Sequence, residues 1–426
     1  MSALTTLVEG RLADDKLLRK GGLASILDAL DGRGEETRVV GGAVRDLVLG
    51  LKVSDFDLAT TATPDETMRR ARAAGLKAVP TGLLHGTVTI VVDGQGYETT
   101  TLREDVETDG RHAKVRFGRD FKQDALRRDF TINALSLSRD GRVHDYAGGL
   151  ADLAARRVRF IGEARQRIRE DYLRALRFFR FSAAYGDSPI DEEGFLAAVQ
   201  ERDGLQRLSR ERIAAELFKL LKAPRAAEVM TTLCNCGLLI PLLAAAPDPA
   251  RHARLVAIEK ARGAPPDPLL RLAGLMVRIV EDADRLRERL RLSNADLDRL
   301  SEAAHVLETL HGLSEPPPPG DLRALLYAHG RTAALDALTL AHADSGAAPD
   351  DKRFLSTHYF LLDTPMPALP FSGAEILARG VATGHQVGAT LKALQALWIR
   401  AGFPQEPEKL AALLDEALAR ARGERR

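Results

Sequence analysis

The chain of 426 residues holds only two cysteines, Cys234 and Cys236. So few exclude a disulfide framework and point to a reducing compartment, the cytoplasm, and their Cys-x-Cys spacing has no partner ligands nearby. Both are expected to be buried structural residues. Long apolar runs are missing as well, so no segment reaches the length of a membrane span. Met1 to Lys20 mixes acids and bases around no apolar centre, which argues against a secretory leader. Strong charge of either sign is also lacking, for the net charge is +1. Its distribution is less even than its sum. Nine arginines stand between Arg156 and Arg180 against Glu163, Glu170 and Asp171. Such a basic stretch suits a nucleic-acid partner and suits a solvated helix face equally.

What is present is an ordinary globular composition, 45% hydrophobic and 28% charged, in a chain long enough for two or more domains. Its most informative stretch runs from Arg38 to Leu58. Arg38 to Val40 read as the end of a strand, and Gly41-Gly42 let the backbone turn sharply and come close to a ligand. Ala43 to Leu49 follow a helical pattern that Gly50 ends. The amides at the start of that helix, together with Arg45, suit an anion such as a phosphate. Asp55 and Asp57 are two apart, so a strand would put both carboxylates on one face. Carboxylates held side by side repel unless a cation lies between them, the arrangement that two-metal nucleotidyl transfer needs. A lone Asp-x-Asp is more often a solvated turn. The ordered combination, Gly-Gly-x-x-Arg-Asp and then Asp-x-Asp, is more specific.

Downstream, Thr63 to Glu66 read as a helix cap, with Gly75 as the stop. Gly86 to Val92 and Tyr97 to Arg103 form two β-rich segments around an Asp-Gly-Gln-Gly turn. Glu98, Thr100 and Leu102 share one face of the second. Glu98 is the only acid on either strand of the hairpin, and so a candidate third carboxylate or an exposed strand residue. Glu104 to Arg116 are polar and charged, the composition of a mobile loop. Arg127-Arg128-Asp129 lead into Phe130-Thr131-Ile132-Asn133. Glu170 to Phe181 are helical in pattern. At 100° per residue Tyr172, Leu173, Leu176, Phe179 and Ala183 form the core side, and Arg174 and Arg177 lie opposite with Asp171 at the edge. Arg180 falls half a turn from Asp171, and Phe178 and Phe181 fall among the arginines. Ser209 opens another amphipathic helix. Beyond it helices alternate with proline-rich breaks and no strand pattern appears.

In this order, Gly41-Gly42-x-x-Arg45-Asp46, Asp55-x-Asp57, Arg127-Arg128-Asp129 through Asn133, and Glu170-Asp171-x-x-Arg174 resemble the bacterial tRNA nucleotidyltransferase and poly(A) polymerase family. That family lies within the superfamily to which DNA polymerase beta belongs. The specific motifs cover about residues 36 to 225. The resemblance implies an α+β chain: a nucleotidyltransferase head with a small mixed sheet (1–148), a helical neck that recognises the base (149–240), and a helical body and tail that bind tRNA (241–426). It implies that Asp55 and Asp57 hold two Mg²⁺ ions, with Glu98 as third catalytic acid. Gly41, Gly42 and Arg45 would hold phosphates, and Arg128 the nucleotide. Asp129 and Asn133 would contact ribose or orient the arginine. Asp171 and Arg174 would read the base of CTP or ATP, with Arg177 at base or phosphate and Arg180 less direct. Gly148-Gly149 would mark the hinge, and Phe371 to Gly388 resemble the tail segment that holds tRNA. No His-Asp pair with further His ligands suggests the phosphohydrolase domain that some relatives carry.

The implied activity is addition of C, C and A to the tRNA 3′ end. A poly(A) polymerase is the nearest alternative, though His85-Gly86-Thr87 stands where those relatives carry an arginine-rich strand. Enzymes adding only CC or only A form a second alternative; a shortened loop, unlike Glu104 to Arg116, marks the CC-only form. A non-catalytic tRNA-binding protein is the third, and the acids at 55, 57 and 98 argue against it.

Overall fold

The computed structural model describes residues 16–421, except 54, 84–85, 109–112, 311 and 382–383. Part of the polar lead-in, Ser54, His85 and the centre of the expected loop therefore lie outside the described residues. The chain divides into two compact units, Met1–Val229 and Met230–Arg426.

The first unit is built on a seven-stranded sheet of order β3-β4-β5-β2-β1-β8-β9. Its strands are β1 Thr37–Val40, β2 Asp57–Thr60, β3 Lys77–Gly82, β4 Thr87–Val92, β5 Gln95–Thr101, β8 Leu135–Leu137 and β9 Val143–Asp145. β1 runs antiparallel to β2, and β2 parallel to β5, so the sheet is mixed. The register fixes what each face carries. Val39, Leu58 and Thr99 align across β1, β2 and β5 and are all buried. The helices Gly22–Leu30 and Pro64–Ala73 lie against the sheet. Each large apolar side chain so buried contributes about 1.5–3 kcal/mol. Val40, Asp57 and Glu98 align on the opposite face.

Local signals explain the ends of the helices. Thr63 accepts a hydrogen bond from the Glu66 amide at 3.4 Å, and Pro64 takes the first turn. Gly50 closes the helix Gly42–Leu49 in the left-handed conformation, its amide donating to Asp46 and Leu47 carbonyls. Ser209 caps Arg210–Leu221 through the Arg212 amide.

Residues 103–117 depart from the expectation of a loop. β6, Arg103–Thr108, and β7, Ala113–Phe117, pair antiparallel as a separate two-stranded ribbon. Val106, Thr108, Val115 and Phe117 carry enough β propensity to pair, which the charged composition conceals.

The second unit contains no strand among its described residues. One of its cores joins Leu322, Leu326, Ala334, Leu338, Phe354 and Leu361; another joins Ile376, Leu394, Leu397, Leu414, Ala417 and Leu418. Trp398 is fully buried, with its indole N–H donating to the Pro404 carbonyl at 2.9 Å. Pro319–Ser345 is kinked where Gly330 takes φ +80°, a conformation closed to most side chains. Neither Cys234 nor Cys236 forms a disulfide, and both are only half-buried, contrary to expectation. Burial still pushes the Cys234 thiol up to about 12, which disfavours its thiolate. Among the described residues no helix is long and apolar enough to cross a membrane.

Candidate active site

The site begins at the end of β1. Gly41 turns the chain with φ +72° and ψ −131°, and the helix Gly42–Leu49 starts directly behind it. A side chain at Gly41 would fail twice. The backbone angle disfavours it, and its Cβ would stand 2.7 Å from Arg128 Nη1. Arg128 uses that space, donating to the Asn133 carbonyl at 3.3 Å and to Asp124 at 3.2 Å.

Asp57 opens β2, but Asp55 precedes the ladder, so only one of the two acids is a strand residue. The alternation nevertheless holds. Asp55 and Asp57 are exposed and Phe56 between them is buried, its ring stacked on Tyr97 at 6.4 Å. The carboxylates therefore share a side. Loss of surrounding water pushes the Asp57 carboxyl above the ordinary value; Arg128 draws it down and Asp55 pushes it further up. Two neighbouring hard-oxygen acids of this kind fit a hard divalent cation. Glu98 lies beside Asp57 in the parallel register. Among the described residues, however, no three His, Cys, Asp or Glu side chains converge closely enough for a metal ion. Glu98 flanks the pair rather than completing a cage.

A cavity of about 490 Å³ opens beside Asp57. It is lined by Gly41, Gly42, Arg45, Arg128, Asp129, Asn133, Asp171, Arg174, Arg177 and Arg180, so every sequence candidate except Asp55 and Glu98 reaches it. Arg127, Leu173, Phe181 and Arg212 line it as well. A second cavity, also about 490 Å³, lies on the sheet and includes Thr87, Thr100 and Arg103. Asp57, Arg127 and Arg128 belong to both and form the partition.

The cations of the first cavity are held in place by acids. Arg45 is buried, with Nε 2.9 Å from Asp46, Nη1 donating to Asn133 Oδ1 at 2.7 Å and Nη2 to the Tyr185 hydroxyl at 2.6 Å. Its guanidinium also lies 3.8 Å from the Tyr185 ring centre. So engaged, Arg45 orders Asn133 more than it offers itself to an anion. Asp129 accepts from Asn133 Nδ2 at 3.1 Å and from Arg177 at 2.7 Å. Burial pushes the Asp129 carboxyl up, but Arg177 and these hydrogen bonds prevail and hold it below the usual range. Asp124, absent from the sequence candidates, is likewise buried and held low, because Arg128 and Arg127 outweigh its burial. Arg174 pairs with Glu170, Arg180 with Glu216, and Asp171 with Arg212 at 2.7 Å.

The helical wheel expected over Glu170 to Phe181 fails first at Asp171. The helices Ala164–Glu170 and Leu173–Tyr185 are separate, and Asp171 lies between them with extended φ −154° and ψ 107°. Its carboxylate accepts from the Leu173 amide at 3.1 Å, which competes with helix continuation. Asp171 is therefore off the wheel, and it lines the same cavity as Arg180. Phe178 departs too, being fully buried against Phe130 and Phe160 rather than among the arginines. Phe181 does lie under them, 4.0 Å from the Arg180 guanidinium. Tyr172 is only half-buried. The nine arginines from Arg156 to Arg180 are no free basic surface, since each has an acid within 4.0 Å: Asp187, Asp152, Glu201, Glu170, Asp129 or Glu216. Asp124, Tyr185, Arg212 and Glu216 escaped the sequence reading. Arg212 and Glu216 carried one signal, opposite charges a helical turn apart beside an apolar stripe.

Residues 37–159 match the model of the poly(A) polymerase head domain, and residues 189–250 that of the probable RNA- and SrmB-binding site of polymerase A. The mitochondrial CCA tRNA nucleotidyltransferase 1 of Mus musculus is 33% identical over 401 residues, 92% of this chain and 89% of that protein. The CCA-adding enzyme of Levilactobacillus brevis is 40% identical over 215 residues, 50% of this chain and 53% of that one. The crystal structure of the Bacillus stearothermophilus CCA-adding enzyme in complex with CTP superposes with a TM-score of 0.68 at 27% identity, over 99% of this chain and 100% of that one.

Proposed function

Because the chain belongs to the family of CCA-adding tRNA nucleotidyltransferases, whose head domain it shares with poly(A) polymerases, we propose that it completes the 3′ end of tRNA. It adds C, C and A from CTP and ATP, and pyrophosphate leaves. The observation that carries this reading is the likeness to a CCA tRNA nucleotidyltransferase along 92% of the chain. The cavity beside Asp57, with acceptor-only and donor-only side chains, agrees with it.

The geometry supports the following roles. Gly41 and Gly42 bring bare backbone to the triphosphate, and Arg128, passing over Gly41, supplies charge. Arg45 and Asn133 hold that turn against Asp129, which fixes Arg177. Asp171 and Arg174 address the Watson–Crick edge, the carboxylate accepting from an exocyclic amine and the guanidinium donating to a ring nitrogen. Arg177 stands at base or phosphate, and Arg180 supports from behind. Asp55 and Asp57 would hold Mg²⁺, which when bound lowers the pKa of the attacking hydroxyl and steadies the triphosphate. Glu98 flanks them as the third acid of the face. In this reading residues 1–148 are the catalytic head, 149–240 the base-recognising neck and 241–426 the tRNA-binding body and tail. The cytoplasm, suggested by two free thiols, is the proposed compartment.

The test incubates tRNAs ending before, within and after CCA with each labelled nucleoside triphosphate. Addition that stops at CCA is expected. An unbounded run of A would instead make the chain a poly(A) polymerase, and incorporation of C alone or A alone a partial enzyme.

A further inference from the structure

Asp171 is restrained from two sides. The Leu173 amide donates to Oδ1 at 3.1 Å, and Arg212 Nη2 donates to Oδ2 at 2.7 Å. Arg212 itself springs from the first turn of Arg210–Leu221, where its amide donates to the Ser209 cap. One turn further on, the buried Glu216 takes Arg180, and Arg177 at 3.7 Å. One face of this helix thus presents a cation to the acid of the base-facing segment and an acid to its cations.

We infer that Arg212 is a positioning residue for base selection, acting on the incoming nucleotide only through Asp171. The inference rests on the reading of Asp171 as the group that faces the base. An ionised carboxylate has about four acceptor sites, and two are occupied by the amide and the guanidinium. The remaining lone pairs have a fixed direction. They accept the exocyclic amine of cytosine or adenine and oppose the carbonyl that uracil or guanine presents there. Without Arg212 one anchor remains, so the carboxylate turns aside and a carbonyl enters at lower cost. The loss falls on discrimination rather than on hold of the triphosphate.

The experiment measures kcat/KM of the full chain for all four nucleoside triphosphates, on tRNA lacking CCA and on tRNA ending in CC. In Arg212→Gln the UTP:CTP and GTP:ATP ratios should rise about tenfold, since restoring one unmade hydrogen bond is worth about 1.4 kcal/mol. In an Asp171→Asn background the same change should move the ratios by less than about twofold, as expected of a residue acting through another. Arg212→Lys keeps the charge without the planar fork and should give a rise of about threefold or more, which carries the test should the glutamine variant fail to fold. Ratios within about twofold of the parent in folded Arg212 variants would overturn the inference while leaving CCA addition intact. A parent enzyme that adds neither C nor A would overturn the underlying reading instead.

Discussion

Both units hold buried ion pairs, such as Arg271 with Glu259 in the second, but they differ in what surrounds their buried charge. In the first, Asp129 meets Arg177 and Asn133, Asp124 meets Arg127 and Arg128, and Glu216 meets Arg180, all around an open cavity. In the second, polar groups are sealed among helices and several lack partners. His252 is fully buried with neither ring nitrogen hydrogen-bonded, and Arg262 has Nε and Nη2 in the same condition. Paired charge beside a cavity prepares chemistry at little risk to folding. Sealed charge makes folding sensitive to conditions and offers nothing to a ligand. Substitutions should therefore separate activity from stability according to the unit they fall in.

The largest separation is expected at the exposed carboxylates. Asp55→Asn or Asp57→Asn should lower nucleotide addition about a thousandfold or more, roughly 4 kcal/mol of transition-state stabilisation. The melting temperature should hold, because both side chains face solvent and their repulsion is relieved. Near-parental activity in a folded variant would remove the acids from the chemistry.

The converse belongs to the second unit. Arg271 and Glu259 are both buried and 2.6 Å apart. Glu259→Ala breaks this buried pair and should cost about 3–5 kcal/mol of stability in denaturant titration. The midpoint should fall while single-turnover chemistry on folded enzyme persists. A variant with parental stability would show that the pair adds nothing net to folding.

Acid should expose the same contrast without mutation. Burial, aided by Arg271, holds the His252 imidazole down at about 4, against an ordinary value of 6.5. The unfolded chain takes up a proton through the ordinary value while the folded chain does not. Stability is thus fully present above pH 6.5 and is lost as pH falls towards 4, by about 2–3 kcal/mol. His358, also held down at about 4 by burial, acts in the same direction. His252→Gln should flatten the dependence between these pH values, measured by thermal unfolding. An unchanged slope would place the acid sensitivity elsewhere.

The smallest effect concerns a cap. Ser372 accepts from the Glu375 amide, and Glu375 returns to the Ser372 amide at 2.8 Å, a reciprocal box at the start of Gly373–Ala378. Ser372→Ala should cost about 1 kcal/mol and leave catalysis untouched. A fall in tRNA affinity without a fall in stability would instead give this segment a direct role in binding.

The contrast also explains what could be read from sequence. Gly41, Gly42, Arg45 and Arg128 were legible because a tight turn and close backbone approach need specific residue types in a fixed order. Asp171 was visible as a residue but not as geometry, since nothing in Glu170-Asp171-Tyr172 announces that its own carboxylate breaks the helix. The ribbon of β6 and β7 is hidden in the sequence because its charged residues outnumber those of high β propensity. Asp124, Tyr185, Arg212 and Glu216 matter through partners 3 to 140 positions away, as Arg127 on Asp124 and Tyr185 on Arg45 show. In the second unit only helical periodicity spoke, and it does not tell which polar residue ends without a partner.

The arginines from Arg156 to Arg180, each beside a carboxylate of its own unit, bear on how the protein meets salt. A cation neutralised within the chain gathers few small anions from solution, so a ligand arriving there sets few of them free. Were a nucleotide bound at Arg174, Arg177 and Arg180, which line the cavity, its capture would be an exchange of partners inside the protein and so less dependent on ionic strength. Polyanions gripped by unneutralised lysines and arginines behave otherwise, and brine loosens them steeply. A nucleoside triphosphate bound there would then stay in place at salt concentrations that let a long RNA go.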